Sequence, residues 1–274
     1  MTRRRGFTLV ELLIAVVLLG IVGLGISKLL QSQVRFFSRA TGARDARAVA
    51  RNALNLVRDE MRMIEPRGII AATTTSISVR VPYAVGVYCS SSTATFVPVD
   101  SLQYASAIFR GYAYRDTALN ANYTYVPISG SSTPTAGTVT NCTGAPGITP
   151  VTGGLTLSLS PAFPSLAPGS PVILYQTITY SLAASTLVPG RTALWRQVST
   201  GTAEEVAVPF ENTAIFRFYV SGALTSQSTV PGTLNTITGI EIVLTGQSER
   251  ISASTGTPES AATRVSILFR NAVY

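Results

Sequence analysis

The chain of 274 residues contains no histidine and only one lysine, Lys28. Without histidine, Ser-His and Cys-His nucleophile pairs and histidine metal ligands are excluded. Because Lys28 directly follows the apolar N-terminal segment, a Ser-Lys dyad in the rest of the chain is excluded too. Carboxylate chemistry stays open in principle, for example at Glu204 and Glu205, but acids this sparse are typical of solvated strands and loops. We therefore expect no enzyme activity, no cofactor and no metal site.

Long apolar runs are also scarce, and only one approaches membrane length. About 21 mostly apolar residues run from Phe7 to Ser27, which is enough for a helix to cross a bilayer. Glu11 lies in this run, where a carboxylate costs roughly 2.5 kcal/mol or more unless something neutralises it. A secretory signal needs a small-residue cleavage site soon after the run, and the nearest Ala-x-Ala, residues 46–48, comes too late. A plain signal anchor explains the length but leaves Glu11 without a role.

The net charge of +8 is concentrated near the N-terminus. Three arginines precede the apolar run, and residues 28–65 hold eight basic side chains against four acidic ones. Residues 66–274 hold ten arginines against eight acids, so their net charge is only +2. A head that binds nucleic acid as a whole is therefore not indicated.

Cysteine is limited to Cys89 and Cys142, which lie in surroundings rich in Ser, Thr and Gly. The arginines before the apolar run favour a cytoplasmic N-terminus, which places the two cysteines in an oxidising compartment beyond the membrane. We predict a disulfide between them, which stabilises the fold by roughly 4 kcal/mol in the chain-entropy model. Two unpaired thiols are the alternative, and two cysteines without histidine do not complete a zinc site.

The segment 28–65 has the periodicity of an amphipathic helix that continues the apolar run. Its apolar residues recur at spacings of three and four and share one face: Ala46, Ala50, Ala53, Val57, Met61 and Ile64. Five arginines share another face: Arg44, Arg47, Arg51, Arg58 and Arg62. Pro66 and Gly68 are expected to end the helix, which then has about 58 residues and a length of roughly 87 Å.

The remainder, residues 66–274, has the short apolar groups and turn residues typical of β-strands. The clearest predicted strands are 77–81, 155–159, 172–182, 192–198, 214–220, 237–245 and 265–271. In the sixth strand Ile240, Ile242 and Leu244 share a face opposite Glu241, which predicts a half-buried strand. Residues 128–154, 160–171 and 222–235 are predicted as loops. The fold class is α+β, with a helical spine packed on a β-rich head.

One stretch of the head interleaves aromatic and arginine side chains. The residues concerned are Arg110, Tyr112, Tyr114, Arg115, Tyr123 and Tyr125. The first interpretation is a β-hairpin with a turn at 116–122, in which the tyrosines form cross-strand pairs. The second is a surface that stacks on bases or sugars.

The N-terminal residues Gly6-Phe7-Thr8-Leu9-Val10-Glu11 resemble the class III leader of type IV pilins and the related pseudopilins. The resemblance implies that a prepilin peptidase cleaves between Gly6 and Phe7 and methylates the new amine of Phe7. Glu11 then pairs with that positively charged amine in the fibre, where opposite charges attract strongly and set the register between helices.

Further resemblance extends over the helix end at 51–69, the segment 178–198 and the closing strand 266–274, which look like the PilW-type minor pilins. They are also similar to the J-type minor pseudopilin of type II secretion, and Lys28 stands where major pilins usually have proline. This implies a leader (1–6), an N-terminal helix (7–65, with a membrane and polymerisation segment at 7–27 and an amphipathic half at 28–65) and a β-rich head (66–274).

The same resemblance implies partners and a location. The expected partners are other major and minor pilins, prepilin peptidase and an inner-membrane assembly platform. The chain is expected to span the bacterial inner membrane once, with its head in the periplasm, before it enters a pilus at the cell surface. The function expected is that of a minor pilin in fibre assembly or priming. The alternatives are a pseudopilin that supports protein export and an adhesive or DNA-binding tip module.

Overall fold

The structure, a computed structural model, describes residues 8–65, 67–90, 93–96, 107–115, 122–128, 135–136, 155–158, 162–252 and 255–269. These residues form one long N-terminal helix packed on a large antiparallel β-sheet. This is the α+β architecture predicted from the sequence.

Helix α1 spans Leu9–Met61 and begins at the N-cap residue Thr8. The regular helix ends at Met61, earlier than the predicted end at residue 65. The amide of Met63 bonds to the carbonyl of Glu60 at 3.1 Å, and the amide of Ile64 bonds to that of Met61 at 3.3 Å. These tighter turns are typical of helix ends. They bring Ile64, which is 1% exposed, into the core.

The apolar face predicted for the second half of α1 is confirmed. All six of its side chains are at most 2% exposed: Ala46, Ala50, Ala53, Val57, Met61 and Ile64. Small residues on this face let the helix backbone lie close to the sheet. At Gly246 an added Cβ atom would lie 2.1 Å from the carbonyl oxygen of Ala46, so only glycine fits this contact without a shift.

The sheet contains 13 strands in the described residues. They are β1 (Ile69–Ala72), β2 (Ser76–Ser90), β3 (Thr93–Phe96), β4 (Gly111–Tyr114), β5 (Thr124–Pro127), β6 (Thr135–Ala136), β7 (Leu155–Ser158), β8 (Pro171–Ala184), β9 (Thr192–Val198), β10 (Glu204–Phe210), β11 (Ile215–Val220), β12 (Ile237–Ile251) and β13 (Pro258–Leu268). Each of the seven predicted strands overlaps one of them. Strand β6 lies in a stretch predicted as loop.

All strand pairs are antiparallel, and the main order is β11-β12-β10-β9-β8-β2-β3-β7-β6. Strand β1 also pairs with β2, β13 with β12, and the β4–β5 hairpin with β8. Helix α1 contacts β10, β12 and β13. One hydrophobic core therefore lies between the helix and the sheet, and a second core, around Tyr88, Tyr112 and Phe163, lies elsewhere in the head.

Candidate assembly segment and head surface

The first turn of α1 holds Glu11 in a capping box. The Oε2 atom of Glu11 accepts hydrogen bonds from the amide of Thr8 at 3.0 Å and from the Thr8 hydroxyl at 3.1 Å. The Thr8 hydroxyl in turn accepts one from the amide of Glu11 at 3.3 Å. Sequence reasoning assigned Glu11 but missed Thr8, although Thr-x-x-Glu before an apolar run is the pattern of a capping box. Gly6 and Phe7 lie outside the described residues, so cleavage, methylation and the Phe7–Glu11 pair stay predictions.

The apolar half of α1 projects from the head. Its large apolar side chains are more than half exposed from Leu9 to Ile26 and again at Leu29, Leu30, Val34, Phe36 and Phe37. Within the described residues, Leu9–Met61 is the helix long and apolar enough to cross a membrane. An added Cβ atom at Gly20, Gly23 or Gly25 would meet nothing within 4 Å. This surface is open to lipid or to other helices.

The far end of α1 is joined to the sheet by a charged cluster that sequence reasoning missed. The guanidinium of Arg196 on β9 donates to Oε1 of Glu60 through Nη2 at 2.7 Å and Nε at 3.2 Å. The hydroxyl of Tyr180 on β8 donates to Oε2 of Glu60 at 2.6 Å. Burial and the negative charge of Glu60 raise the pKa of the Tyr180 hydroxyl, which therefore stays protonated. The contact joins positions 136 residues apart, so no local pattern indicates it.

Glu205, which was considered for carboxylate chemistry, and Glu241 on β12 are both held by neighbouring side chains, whereas Glu204 is exposed. Glu205 accepts hydrogen bonds from Ser185 and from the amide and hydroxyl of Thr186, which form the turn after β8. Burial opposes its ionisation, but these bonds outweigh it, and the pKa of Glu205 lies below its ordinary value. On the sheet, Oε2 of Glu241 lies 3.1 Å from Nε of Arg217. Both carboxylates thus have structural partners.

The aromatic stretch does form the predicted hairpin, but the tyrosines are not cross-strand partners. Tyr112 lies opposite Val126, and Tyr125 lies opposite Ala113. Successive residues of a strand point to opposite faces of the sheet, and these two pairs are successive. The side chains of Tyr112 and Tyr125 are therefore on different faces. The expected tyrosine pairs are therefore wrong, because the register sets them apart.

The same geometry leaves fewer side chains for the candidate tip surface, which is the set of tyrosines and arginines of this stretch that could stack on a ligand. Tyr112 is 1% exposed and its hydroxyl donates to the carbonyl of Ala162 at 3.1 Å, so this ring belongs to the core and is not available for stacking on a ligand. Tyr125 packs under the guanidinium of Arg80, which lies 4.7 Å from the ring centroid. Arg110 donates to the Thr200 hydroxyl at 2.6 Å.

The other three residues of the candidate surface, Tyr114, Arg115 and Tyr123, are half-buried. What binds there stays a prediction.

Cys89 is fully buried in β2, while Cys142 lies outside the described residues. Their disulfide stays a prediction. We expect a free-thiol assay on the unfolded, non-reduced protein to detect no reactive thiol, because both sulfurs are then in one bond. Two reactive thiols per chain would contradict it.

Comparison with known proteins adds one finding at the N-terminus. The family described as prokaryotic N-terminal methylation motif matches residues 1–27. No curated protein and no solved structure matches the chain. The match supports a class III leader of the type IV pilin kind at the N-terminus, and with it a protein of the type IV pilin or pseudopilin class. The motif and the exposed apolar helix also fit anchoring in a membrane.

Proposed function

We propose that this protein is a minor pilin of the PilW-like type that takes part in assembly or priming of a type IV pilus. The observation that carries the proposal is the methylation motif at residues 1–27 followed by a helix whose apolar half is exposed in the part of the chain that the structure describes. Such a segment serves first as a membrane anchor and then as a polymerisation surface. The head supplies structure rather than catalysis.

Under this proposal, prepilin peptidase removes residues 1–6 on the cytoplasmic side and methylates Phe7. Other pilins pack along the exposed half of α1, an inner-membrane platform drives assembly, and the head stays in the periplasm until it enters the fibre. In the monomer Thr8 satisfies the carboxylate of Glu11. In the fibre the new amine of Phe7 becomes its partner.

The leader is tested by Gly6→Ala and Glu11→Val in the full chain, with Glu204→Val as the matched control on the head. We expect Gly6→Ala to abolish the mobility shift that marks cleavage. Glu11→Val should be cleaved but enter fibres poorly, and Glu204→Val should behave as wild type. Normal cleavage of Gly6→Ala would refute the leader assignment, and normal incorporation of Glu11→Val would refute its charge pair.

Deletion of the gene separates this role from its alternatives. Loss of pili supports the proposal. Loss of protein export with intact pili would instead indicate a pseudopilin of type II secretion. Normal pili that fail to adhere or to take up DNA would indicate a tip module.

A further inference from the structure

Five arginines form a single row along α1 beside the head. The arginine row consists of Arg44, Arg47, Arg51, Arg58 and Arg62. Their spacings of three, four, seven and four residues keep them on one face of an α-helix, over a length of about 27 Å. The apolar face of the same helix is buried on the sheet, so the row lies along its flank.

Few acidic side chains of the described residues neutralise the charge of the arginine row. Arg44, Arg47, Arg51 and Arg62 are exposed, and none of them forms an ion pair with a residue that the structure describes. Nε of Arg58 lies 3.7 Å from the neighbouring Asp59. Arginines three and four positions apart repel one another, so the row weakens the isolated helix. An acidic partner would remove this repulsion.

The position and chemistry of the row favour a protein partner over lipid and nucleic acid. Arg44 is 17 residues beyond Ser27, or about 26 Å along the helix, which is beyond the polar region of a bilayer. Residues 38–65 contain no aromatic side chain on which bases could stack, and residues 66–274 add almost no net positive charge. Guanidinium groups bind carboxylates through two parallel hydrogen bonds, which suits a row of Asp and Glu side chains.

We propose that the arginine row docks onto an acidic helix face of another subunit in the same assembly. Carboxylates recurring every three or four residues on that partner would match the row. The inference rests on the proposed function, because it takes the partner to be a pilin packed alongside α1. The row would set which subunit lies next to this one.

The test places a photo-cross-linking amino acid at Ala48, which is exposed beside the row, in the full chain expressed in cells. We expect a cross-link to a peptide of a second subunit that carries spaced acidic residues. Arg47→Glu with Arg51→Glu should lower its yield about tenfold, as expected when charge-assisted contacts become repulsive. Lysine at the acidic positions of the cross-linked peptide should restore the yield with this variant.

Arg250→Glu with Arg264→Glu is the matched control, because it changes the charge equally at exposed positions of the head. We expect its cross-link yield to equal that of the wild type. An unchanged yield in the row variant, or a cross-linked peptide without spaced acids, would overturn the proposal. Row-dependent binding of a fluorescent DNA duplex, with no row-dependent cross-link, would assign the row to nucleic acid instead.

Leader cleavage and fibre incorporation are measured on the same variants. If the row variant is cleaved and incorporated normally with an unchanged cross-link yield, the proposed function stands and the docking inference falls. If the wild-type chain never enters a fibre but shows the charge-dependent cross-link, the proposed function is refuted. The docking of the arginine row onto an acidic partner is then still supported.

Discussion

Glu60 occupies an unusual position for an acid, because it lies on the helix where α1 meets the sheet. Its side chain is only 17% exposed, and its two oxygens are shared between Arg196 and Tyr180. Removing one member of such a cluster leaves the other charge half-buried without its partner, which costs more than the pair itself contributes. The cluster thus ties the end of the helix to β8 and β9.

We expect Glu60→Ala to lower the free energy of unfolding by about 3 kcal/mol, because Arg196 and Tyr180 lose their acceptor. Asp59→Ala is the matched control: that side chain is 71% exposed and should contribute less than about 1 kcal/mol. Urea unfolding followed by circular dichroism measures both. Equal effects of the two substitutions would show that the cluster does not anchor the helix. Replacing Glu60 and Arg196 together with leucine should recover most of the loss.

At the scale of elements, the contact between α1 and β12 depends on the absence of a side chain. Gly246 lies against the backbone of α1, where the nearest atom to an added Cβ is the carbonyl oxygen of Ala46. A backbone oxygen cannot swing away as a flexible side chain can. Any substitution here must therefore move the helix from the sheet.

Gly246→Ala is expected to destabilise the protein by about 1–3 kcal/mol, the usual cost of overpacking. Gly232→Ala is the matched control, since its added Cβ meets nothing within 4 Å and should change stability by less than about 0.5 kcal/mol. Thermal unfolding of the two variants and the wild type provides the comparison. A Gly246→Ala protein as stable as the Gly232→Ala protein would mean that the helix is not held this close.

Elements with a regular spacing of apolar residues could be predicted from the sequence. A strand interrupted by a proline could not be predicted in full. The spacing of Ala46, Ala50 and Ala53 fixed the buried face of α1, and alternation at Ile240 and Ile242 fixed that of β12. The strand predicted at 77–81 ends just before Pro82. The observed β2 instead continues past Pro82 through a register shift between Pro82 and Ala84. Such bulges accommodate a residue that cannot donate to the ladder.

The strand register and the long-range contacts could not be predicted from the sequence, because each depends on how several elements pack together. The two strands of the tyrosine hairpin were recognisable, but which residues lie opposite each other depends on how β4 pairs with β8 at the same time. Likewise, Glu60 and Arg196 each look like ordinary surface charges in their own segments. Only the packing of α1 on the sheet brings them together.

For the molecule as a whole, α1 belongs to the head over only part of its length. The described side chains before Thr41 are exposed. This part meets the head near its end, where Phe37 borders a groove lined by head residues and Nε of Arg39 lies 3.9 Å from Oε1 of Glu259. The buried face begins at Ala46. Stability of the head should therefore not depend on the projecting half.

A protein of residues 41–274 is expected to fold and to dissolve without detergent. Its free energy of unfolding should lie within about 1 kcal/mol of that of the full chain, because the described side chains that it lacks are exposed and the Arg39–Glu259 pair is long, at 3.9 Å. A protein of residues 54–274 is the comparison and should fail to fold, since it lacks Ala46, Ala50 and Ala53 from the core. Circular dichroism and thermal unfolding report both. Failure of 41–274 to fold would show that the projecting half stabilises the head.

The close contact of α1 with the sheet has a mechanical consequence. A pull on the apolar half along the helix axis acts parallel to the interface at residues 46–61, which is about 22 Å long. Such a force shears the interface, so all the buried contacts between helix and sheet resist it at once. They are not lost one after another, as they would be if the helix were pulled away from one end. The cluster of Glu60, Arg196 and Tyr180 lies at the end farthest from the pull. In the proposed fibre, tension would therefore stretch the helices before it separated a helix from its head.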